Sequence, residues 1–263
     1  MALAARNIAP EGSAPSGDTA APRISLRGIR KSFGSIEALR GVDLDVMPGE
    51  CVGLIGDNAA GKSTLTKIIS GTYVADAGTI AVDGEPVRFT RPNDARAHHI
   101  EMVFQDLSLC DHIDVMGNLF LGREATRFSF LDNRRMKERA RRMLDDLDIR
   151  IPNLGAKVAQ LSGGQRQAIA IARAASFEPR LLIMDEPTSA LAVAEVEAVL
   201  RLINRVKARG VSVILITHRL QDLFEVCDKI AVMYEGTKIA ERETARTQLS
   251  ELVTLIVGKG EAI

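Results

Sequence analysis

CVGLIGDNAAGKSTLTKIISG, Cys51 to Gly71, divides into three parts. CVGLIG is an unbroken apolar run with the length of a buried strand. Gly56, Asp57, Asn58, Ala59, Ala60, Gly61, Lys62, Ser63 and Thr64 then fit G-x-x-x-x-G-K-[ST], the pattern of a loop that cradles nucleotide phosphates. STLTKIISG has the texture of a helix and closes on Gly71. Strand, Gly-rich loop and helix in this order form the context in which the pattern carries chemistry. Successive backbone N–H groups converge on phosphates, and the helix adds its positive N-terminal end. Lys62 is placed to reach the β- and γ-phosphates, and the Ser63 hydroxyl to ligate Mg²⁺. Ala59 and Ala60 stand where such loops often carry another glycine. A left-handed backbone at an alanine costs about 1–2 kcal/mol, so a negative φ is expected at Ala59.

The chain has 263 residues, enough for one large α/β domain or two small ones. Lys plus Arg and Asp plus Glu are both 34, so the balance of charge gives no general reason for a polyanionic partner. Cys51, Cys110 and Cys227 are widely separated, and no Cys/His cluster has the spacing of a zinc site. They read as reduced thiols. Residues 1–22 are rich in Ala, Pro, Gly and Ser, lack the apolar centre of a signal peptide, and read as a disordered lead-in. No apolar run approaches the roughly 18 residues of a membrane span.

From residue 23 the texture is globular. Ile24–Ile29 alternates as a half-buried strand does, and Val42, Leu44 and Val46 do so again. A hairpin is expected around Asp83-Gly84 and another around Glu235-Gly236. Ile100–Phe104 is a further short strand. RRMKERARRMLDDL, Arg134–Leu147, has helical spacing among many charges, and residues 111–165 read as a helical insert. LLIMDE and VSVILIT are buried strands separated by a helix from about Val193 to Arg209. Buried strands alternating with helices predict a mostly parallel sheet covered on both faces. No internal repeat is visible, so one nucleotide-binding unit is expected.

Two further stretches carry chemistry. LLIMDEP, Leu181–Pro187, ends a buried strand in two carboxylates. In a parallel sheet such ends open into the ligand crevice. Asp185 would hold Mg²⁺ through a coordinated water, and Glu186 would polarise a water for attack on the γ-phosphorus. Taken alone, the pair also reads as solvated acids capping a strand; the loop upstream favours the functional reading. LSGGQRQAIAIARA, Leu161–Ala174, opens a helix at Ser162 with Gly163-Gly164 behind it, a second terminus fit for phosphate.

LSGGQ, here Leu161, Ser162, Gly163, Gly164 and Gln165, resembles the signature motif of the ATP-binding cassette (ABC) ATPases. The resemblance spans about Ile24 to Gly258. It implies a P-loop NTPase fold with a mostly parallel central sheet, an antiparallel β subdomain and a helical insert. Under it Phe33 resembles the aromatic that stacks on adenine, although Phe33 also reads as a core side chain. Gln105 in VFQD resembles the glutamine that touches Mg²⁺ and senses a transmembrane partner. His218 in LITHRL resembles the switch histidine that contacts the γ-phosphate, and Lys62, Glu186 and His218 become the implied catalytic group. Two departures stand out. Ala59 replaces a frequent glycine, and Ser189-Ala190-Leu191-Ala192 ends in alanine where the family often has an aspartate that couples two sites across a dimer.

What the resemblance implies is ATP with Mg²⁺, bound between the loop of one subunit and the signature of another. The second subunit would be a further copy of this chain or a similar cassette. VFQDLSLCDHIDVMGNLFLGRE, DEPTSALAVAEVE and THRLQDLFEVCDKIAVMYEG look like the import cassettes for ribose, xylose and fructose in their single-cassette form. This implies a bacterial monosaccharide importer with separate permease subunits and a secreted sugar-binding protein, the chain lying on the cytoplasmic face of the inner membrane. Residues 106–120 are expected to contact the permease. Rival classes lack support: repair members carry long inserts, translation members two cassettes, and a small-molecule kinase has no use for LSGGQ or His218. Nucleic acid is not expected as a partner.

Overall fold

The computed structural model describes residues 21–128 and 130–257. Apart from Ala21 and Pro22, the lead-in expected over residues 1–22 lies outside the described residues. The chain begins with β1 (Ile24–Phe33) and β2 (Ile36–Val46), then β3 (Cys51–Gly56) and α1 (Lys62–Ile69). β4 (Ala77–Val82), β5 (Glu85–Val87), α2 (Pro92–Ala97) and β6 (Ile100–Val103) follow. The insert brings α3 (Val115–Phe120), β7 (Thr126–Arg127), β8 (Phe130–Leu131) and α4 (Asn133–Asp146). α5 (Gly163–Ala175), β9 (Leu181–Asp185), α6 (Val193–Ala208), β10 (Ser212–Ile216) and α7 (Leu220–Val226) return to the core, and β11 (Lys229–Tyr234), β12 (Thr237–Glu243) and α8 (Leu249–Val257) complete it.

The central sheet has the order β12-β11-β3-β10-β9-β6, parallel except at β12. Its strands are apolar throughout because both faces are covered. Side chains alternate between faces along each strand. Leu181 and Ile183 of β9 join one buried cluster, with α1 and the antiparallel sheet, while Leu182 and Met184 join the other, with α3 to α6. The antiparallel sheet has the order β2-β1-β4-β5. The predicted alternation in β1 slips once. Ile24 and Leu26 are buried, Gly28 takes φ +60° at an irregularity, and Ile29 is the next buried residue.

Residues 111–165 hold α3, α4 and the start of α5, but they also contain the short hairpin β7-β8, so this segment is not helical alone. The segment closes on itself at its neck. Val115 N–H donates to Ala156 O at 3.1 Å, Met116 N–H to Leu154 O at 3.1 Å and Ala159 N–H to Asp111 O at 3.0 Å. Asn118, fully buried, fastens the entry: its amide donates to Cys110 O, Ile113 O and Asp114 O, and its oxygen accepts from Cys110 N–H at 2.7 Å. A buried amide is stable only when satisfied in this way.

Candidate nucleotide site

In a parallel sheet the C-terminal ends of all strands point to one edge. β3 there delivers Gly56, β10 leads to Thr217 and His218, β9 ends in Asp185 and Glu186, and β6 leads to Gln105. The strand order β3-β10-β9-β6 therefore places these groups side by side although they are scattered over the sequence. Gln105 itself is exposed in the turn that follows β6.

The loop between β3 and α1 is shaped by sterics. At Gly56, with φ +146°, a Cβ would lie 2.1 Å from Met233 O, and at Gly61, with φ +97°, 2.7 Å from Ala38 O. No other residue fits at either position, which accounts for the two glycines of the pattern. The expectation for Ala59 is wrong: its φ is +71°. Ala60 N–H donates to Asp57 O at 3.1 Å, closing a turn in which Ala59 is the third residue. With φ positive at that place the turn belongs to the type II class, where glycine is the ordinary choice. The loop therefore holds Ala59 against its own preference rather than through a compatible conformation. Gly61 supplies no side-chain cap, so the first-turn amides of α1 have none. Lys62 Nζ donates to Gly56 O at 2.7 Å and to Asp57 O at 2.9 Å, bracing the loop from inside. Burial lowers the Lys62 pKa, with the charges of Glu186, Asp185 and Asp57 pulling the other way.

Asp185 is buried at the end of β9, and its carboxyl is pushed above the ordinary carboxylate range, first by burial and then by the charge of Glu186. Lys67, Lys62 and the Ser63 hydroxyl act in the opposite direction. Glu186 takes φ +54°, a strained backbone for a glutamate. That backbone is fixed from two sides. Its N–H donates to Ile216 O at 2.9 Å, and its carbonyl accepts from Ser189 N–H at 3.1 Å and Ser189 Oγ at 3.0 Å. Its carboxylate Oε2 lies 2.5 Å from His218 Nδ1, so an imidazole hydrogen-bonds the carboxylate at the mouth of the sheet. A cleft of about 370 Å³ opens beside the loop, lined by residues including Gly56, Asp57, Asn58, Thr217 and His218.

Ser63, Asp185 and Gln105 together offer only hard oxygen donors. No group of three or more His, Cys, Asp or Glu side chains with the arrangement of a metal site occurs among the described residues. Few carboxylates, one hydroxyl and phosphate oxygens from a bound nucleotide are how Mg²⁺ is ordinarily held. A cation would also relieve the crowding of Asp185 against Glu186, so the residues fit Mg²⁺.

Phe33 is no core side chain. It is 42% exposed at the end of β1 and meets Tyr73 edge-on, with ring centroids 5.2 Å apart. Lys31 Nζ lies over the Phe33 ring at 5.4 Å from its centroid, and Lys67 Nζ over the Tyr73 ring at 5.5 Å. The signature residues stand apart from the loop. Among the described residues no hydrogen bond or ion pair joins Leu161–Gln165 to Gly56–Thr64. Ser162 caps α5: its Oγ accepts from Gln165 N–H at 3.3 Å while the Gln165 side chain accepts from Ser162 N–H at 3.0 Å.

Sequence reasoning missed three supports. Thr188 Oγ1 donates to Asp222 at 2.5 Å with both side chains buried, tying the loop after Glu186 to α7 after His218. Residues 34 apart carry no local signal of such a pair. Arg173, in the last turn of α5, donates to Leu107 O and Ser108 O, both at 2.9 Å, just beyond Gln105. Glu195 accepts from Gly164 N–H at 3.1 Å. Glu195 stands three residues after Ala192, the offset of a capping box, so its bond to the Ala192 N–H was legible but its reach to Gly164 was not.

A glycine-turned loop beside paired carboxylates, with a separate capped helix start, is the arrangement that the described residues make. The family model described as ABC transporter matches residues 39–189. The chain is 44% identical over 233 residues to the xylose/arabinose import ATP-binding protein XylG of Sulfolobus acidocaldarius, covering 89% of this chain and 93% of that one. It is 40% identical over 237 residues to the ribose import ATP-binding protein RbsA of Chromobacterium violaceum, and 44% identical over 237 to RbsA of Burkholderia mallei. The alignments take in 90% of this chain but 47% of each ribose protein, so the chain spans about half the length of those relatives. Among solved structures it superposes on an ATP-binding cassette of an ABC transporter in its ADP conformation, with a TM-score of 0.76 and 27% identity over 89% of this chain and 94% of that one. A dimeric cassette in a post-hydrolysis state, bound to ADP and Pi, gives 0.72 and 25%, over 84% of this chain and 98% of that one. The chain belongs to the ABC transporter family and has the P-loop NTPase fold of its ATP-binding cassettes.

Proposed function

We propose that this chain is the ATP-hydrolysing subunit of an importer that carries a monosaccharide through separate membrane subunits. The observation that supports this reading is the separation of two groups of motif residues within the chain. The cradle, Asp185, Glu186 and His218 share one edge of the sheet, while the signature helix presents its capped start without touching them. Two cassettes facing each other would complete each site from both. The similarity to xylose/arabinose and ribose import proteins supports the cargo class.

In this reading Phe33 stacks on the adenine and residues 56–64 enclose the phosphates, with Lys62 leaving the loop carbonyls for the β- and γ-phosphates. Glu186, held by His218, orients a water and takes its proton as the γ-phosphorus is attacked. Ser63, Asp185 and Gln105 would hold Mg²⁺, which would supply charge neutralisation at the phosphate oxygens. Ser162, Gly163, Gly164 and Gln165 of a second subunit close over the γ-phosphate chiefly through the Gly163 amide and the Ser162 hydroxyl, because the Gly164 and Gln165 amides are engaged within the chain by Glu195 and Ser162. The closed pair is favoured only while the γ-phosphate is present, because only then do both halves contact it. Residues 105–120 face the membrane subunits, and Arg173 links that segment to α5.

The test is co-purification with the membrane subunits and measurement of ATP hydrolysis with and without candidate sugars presented on their binding protein. Sugar-dependent hydrolysis that falls about 10²–10⁴-fold in Glu186→Gln, a range typical of loss of a general base, is expected. Hydrolysis indifferent to every sugar, or unaffected by Glu186→Gln, overturns the reading.

A further inference from the structure

Ala192 ends the Ser189–Ala192 loop where the family often carries an aspartate. It is the residue before α6, and an alanine has no side-chain acceptor with which to cap that helix. The role is taken from the other side. Glu195, in the first turn of α6, accepts from Ala192 N–H through Oε2 at 3.2 Å. The same carboxylate accepts from Gly164 N–H, inside the signature, through Oε1 at 3.1 Å. One side chain thus holds two segments that are 28 residues apart in sequence and are both assigned above to the subunit interface.

The fit around it is tight. A Cβ on Gly164 would lie 2.9 Å from both Cβ and Cγ of Glu195 and 3.1 Å from Cδ. A Cβ on Gly163 would lie 3.0 Å from Leu191 Cδ2 and 3.9 Å from Glu195 Oε2. The second glycine of the signature is therefore demanded within the chain by the approach of α6, independently of any nucleotide. Glu195 is only partly buried, yet its carboxyl is held below its ordinary range, first by the Ser162 hydroxyl and then by the Gly164 and Ala192 amides. A carboxylate accepting charge-assisted bonds from two backbone amides is a firm tether.

We propose that Glu195 is a positioning residue that locks the Ser189–Ala192 loop to the signature helix, so that the two reach the partner's nucleotide as one body. Coupling between the two sites, placed in question by Ala192, then runs through Glu195 within each chain. The inference rests on the reading of the signature as half of a shared ATP site.

Four proteins test it: the wild type, Glu195→Ala, Glu195→Gln, and Glu195→Ala combined with Ala192→Asp. Each is assayed for affinity of the single chain for a fluorescent ATP analogue, for kcat, for the Hill coefficient in ATP and for Tm. Glu195→Ala is expected to leave the affinity within about twofold and to lower kcat about tenfold. Its Hill coefficient should move toward about 1, the value for uncoupled sites. Glu195→Gln retains one acceptor and should fall between; if Glu195→Ala does not fold, it decides the same comparison. Ala192→Asp should restore Tm, because it caps α6, without restoring kcat, because its side chain does not bond Gly164. Unchanged kcat and cooperativity in Glu195→Ala, or full recovery of kcat by Ala192→Asp, would overturn the proposal. The latter would reduce Glu195 to a helix cap. A wild type that hydrolyses no ATP would sink the shared-site reading beneath it, whereas an active wild type indifferent to Glu195 sinks this proposal alone.

Discussion

The edge of the central sheet and the start of α5 are the two regions proposed to meet phosphate, and they are held in different ways. At the sheet edge, β3, β10 and β9 are joined by continuous parallel ladders, and the functional groups emerge within a residue or two of those ladders. Position there is set by backbone hydrogen bonds and by two glycines that admit no side chain. The start of α5 is held by side chains instead: the Ser162–Gln165 cap, the Glu195 carboxylate and the grip of Arg166 on Ala159 O at 2.9 Å. Ladders fix the sheet edge as part of the core, whereas side-chain bonds fasten the start of α5 to its own loop and to α6, with none joining it to the sheet edge among the described residues. The first region is suited to a permanent cradle and the second to a part that docks and releases.

The widest gap between the regions should appear with one substitution in each. Lys62→Ala is expected to weaken nucleotide binding by the single chain about 10-fold or more, by loss of charge-assisted bonds. Gly163→Asp adds an anion at the first turn of a helix, which favours the helix itself but repels phosphate. It should leave single-chain binding within about twofold and lower hydrolysis on the order of 10²-fold, as removal of transition-state donors does. Equal loss of binding in both variants, measured by nucleotide titration, would erase the distinction between a cradle and a docking half.

A smaller effect separates fit for nucleotide from fit for folding. The folded-state pKa of Asp185 is raised, so the folded chain binds that proton more tightly than the unfolded chain. The stability linked to it is complete below the unfolded value and is lost as pH rises through the folded pKa. At neutral pH the charged carboxylate is therefore a cost. Asp185→Asn should raise Tm at neutral pH while removing hydrolysis, and the gain should shrink as pH is lowered toward the ordinary aspartate range. A lower Tm at neutral pH would mean that Asp185 is a structural anchor.

The smallest effect sharpens the account of the loop itself. Ala59→Gly relieves a left-handed alanine and should stabilise the chain by about 1 kcal/mol, read by denaturant titration, without loss of nucleotide affinity. Loss of stability would show that the loop pays nothing for Ala59.

The sheet edge was largely legible in the sequence. Buried strands write themselves as unbroken apolar runs, and the loop pattern, Asp185-Glu186 and His218 each directly follow such a run. Phe33 was not decided, because an aromatic at a strand end reads alike as core or as exposed platform. Thr188 with Asp222 was out of reach, since nothing local marks a pair formed between two loops.

The order of strands and helices and the capped start of α5 follow from the sequence alone, because each depends on neighbours along the chain; the two glycines of the loop were legible as a pattern, but their steric reason lies in Met233 and Ala38. Tertiary structure alone decided the rest. The type II turn that holds Ala59 at positive φ, the hydrogen bond between Glu186 and His218, and the carboxylate of Glu195 on Gly164 all join groups that are distant in sequence or that are forced by packing around them. A local pattern states what a residue prefers; the close-packed surroundings determine which preferences give way.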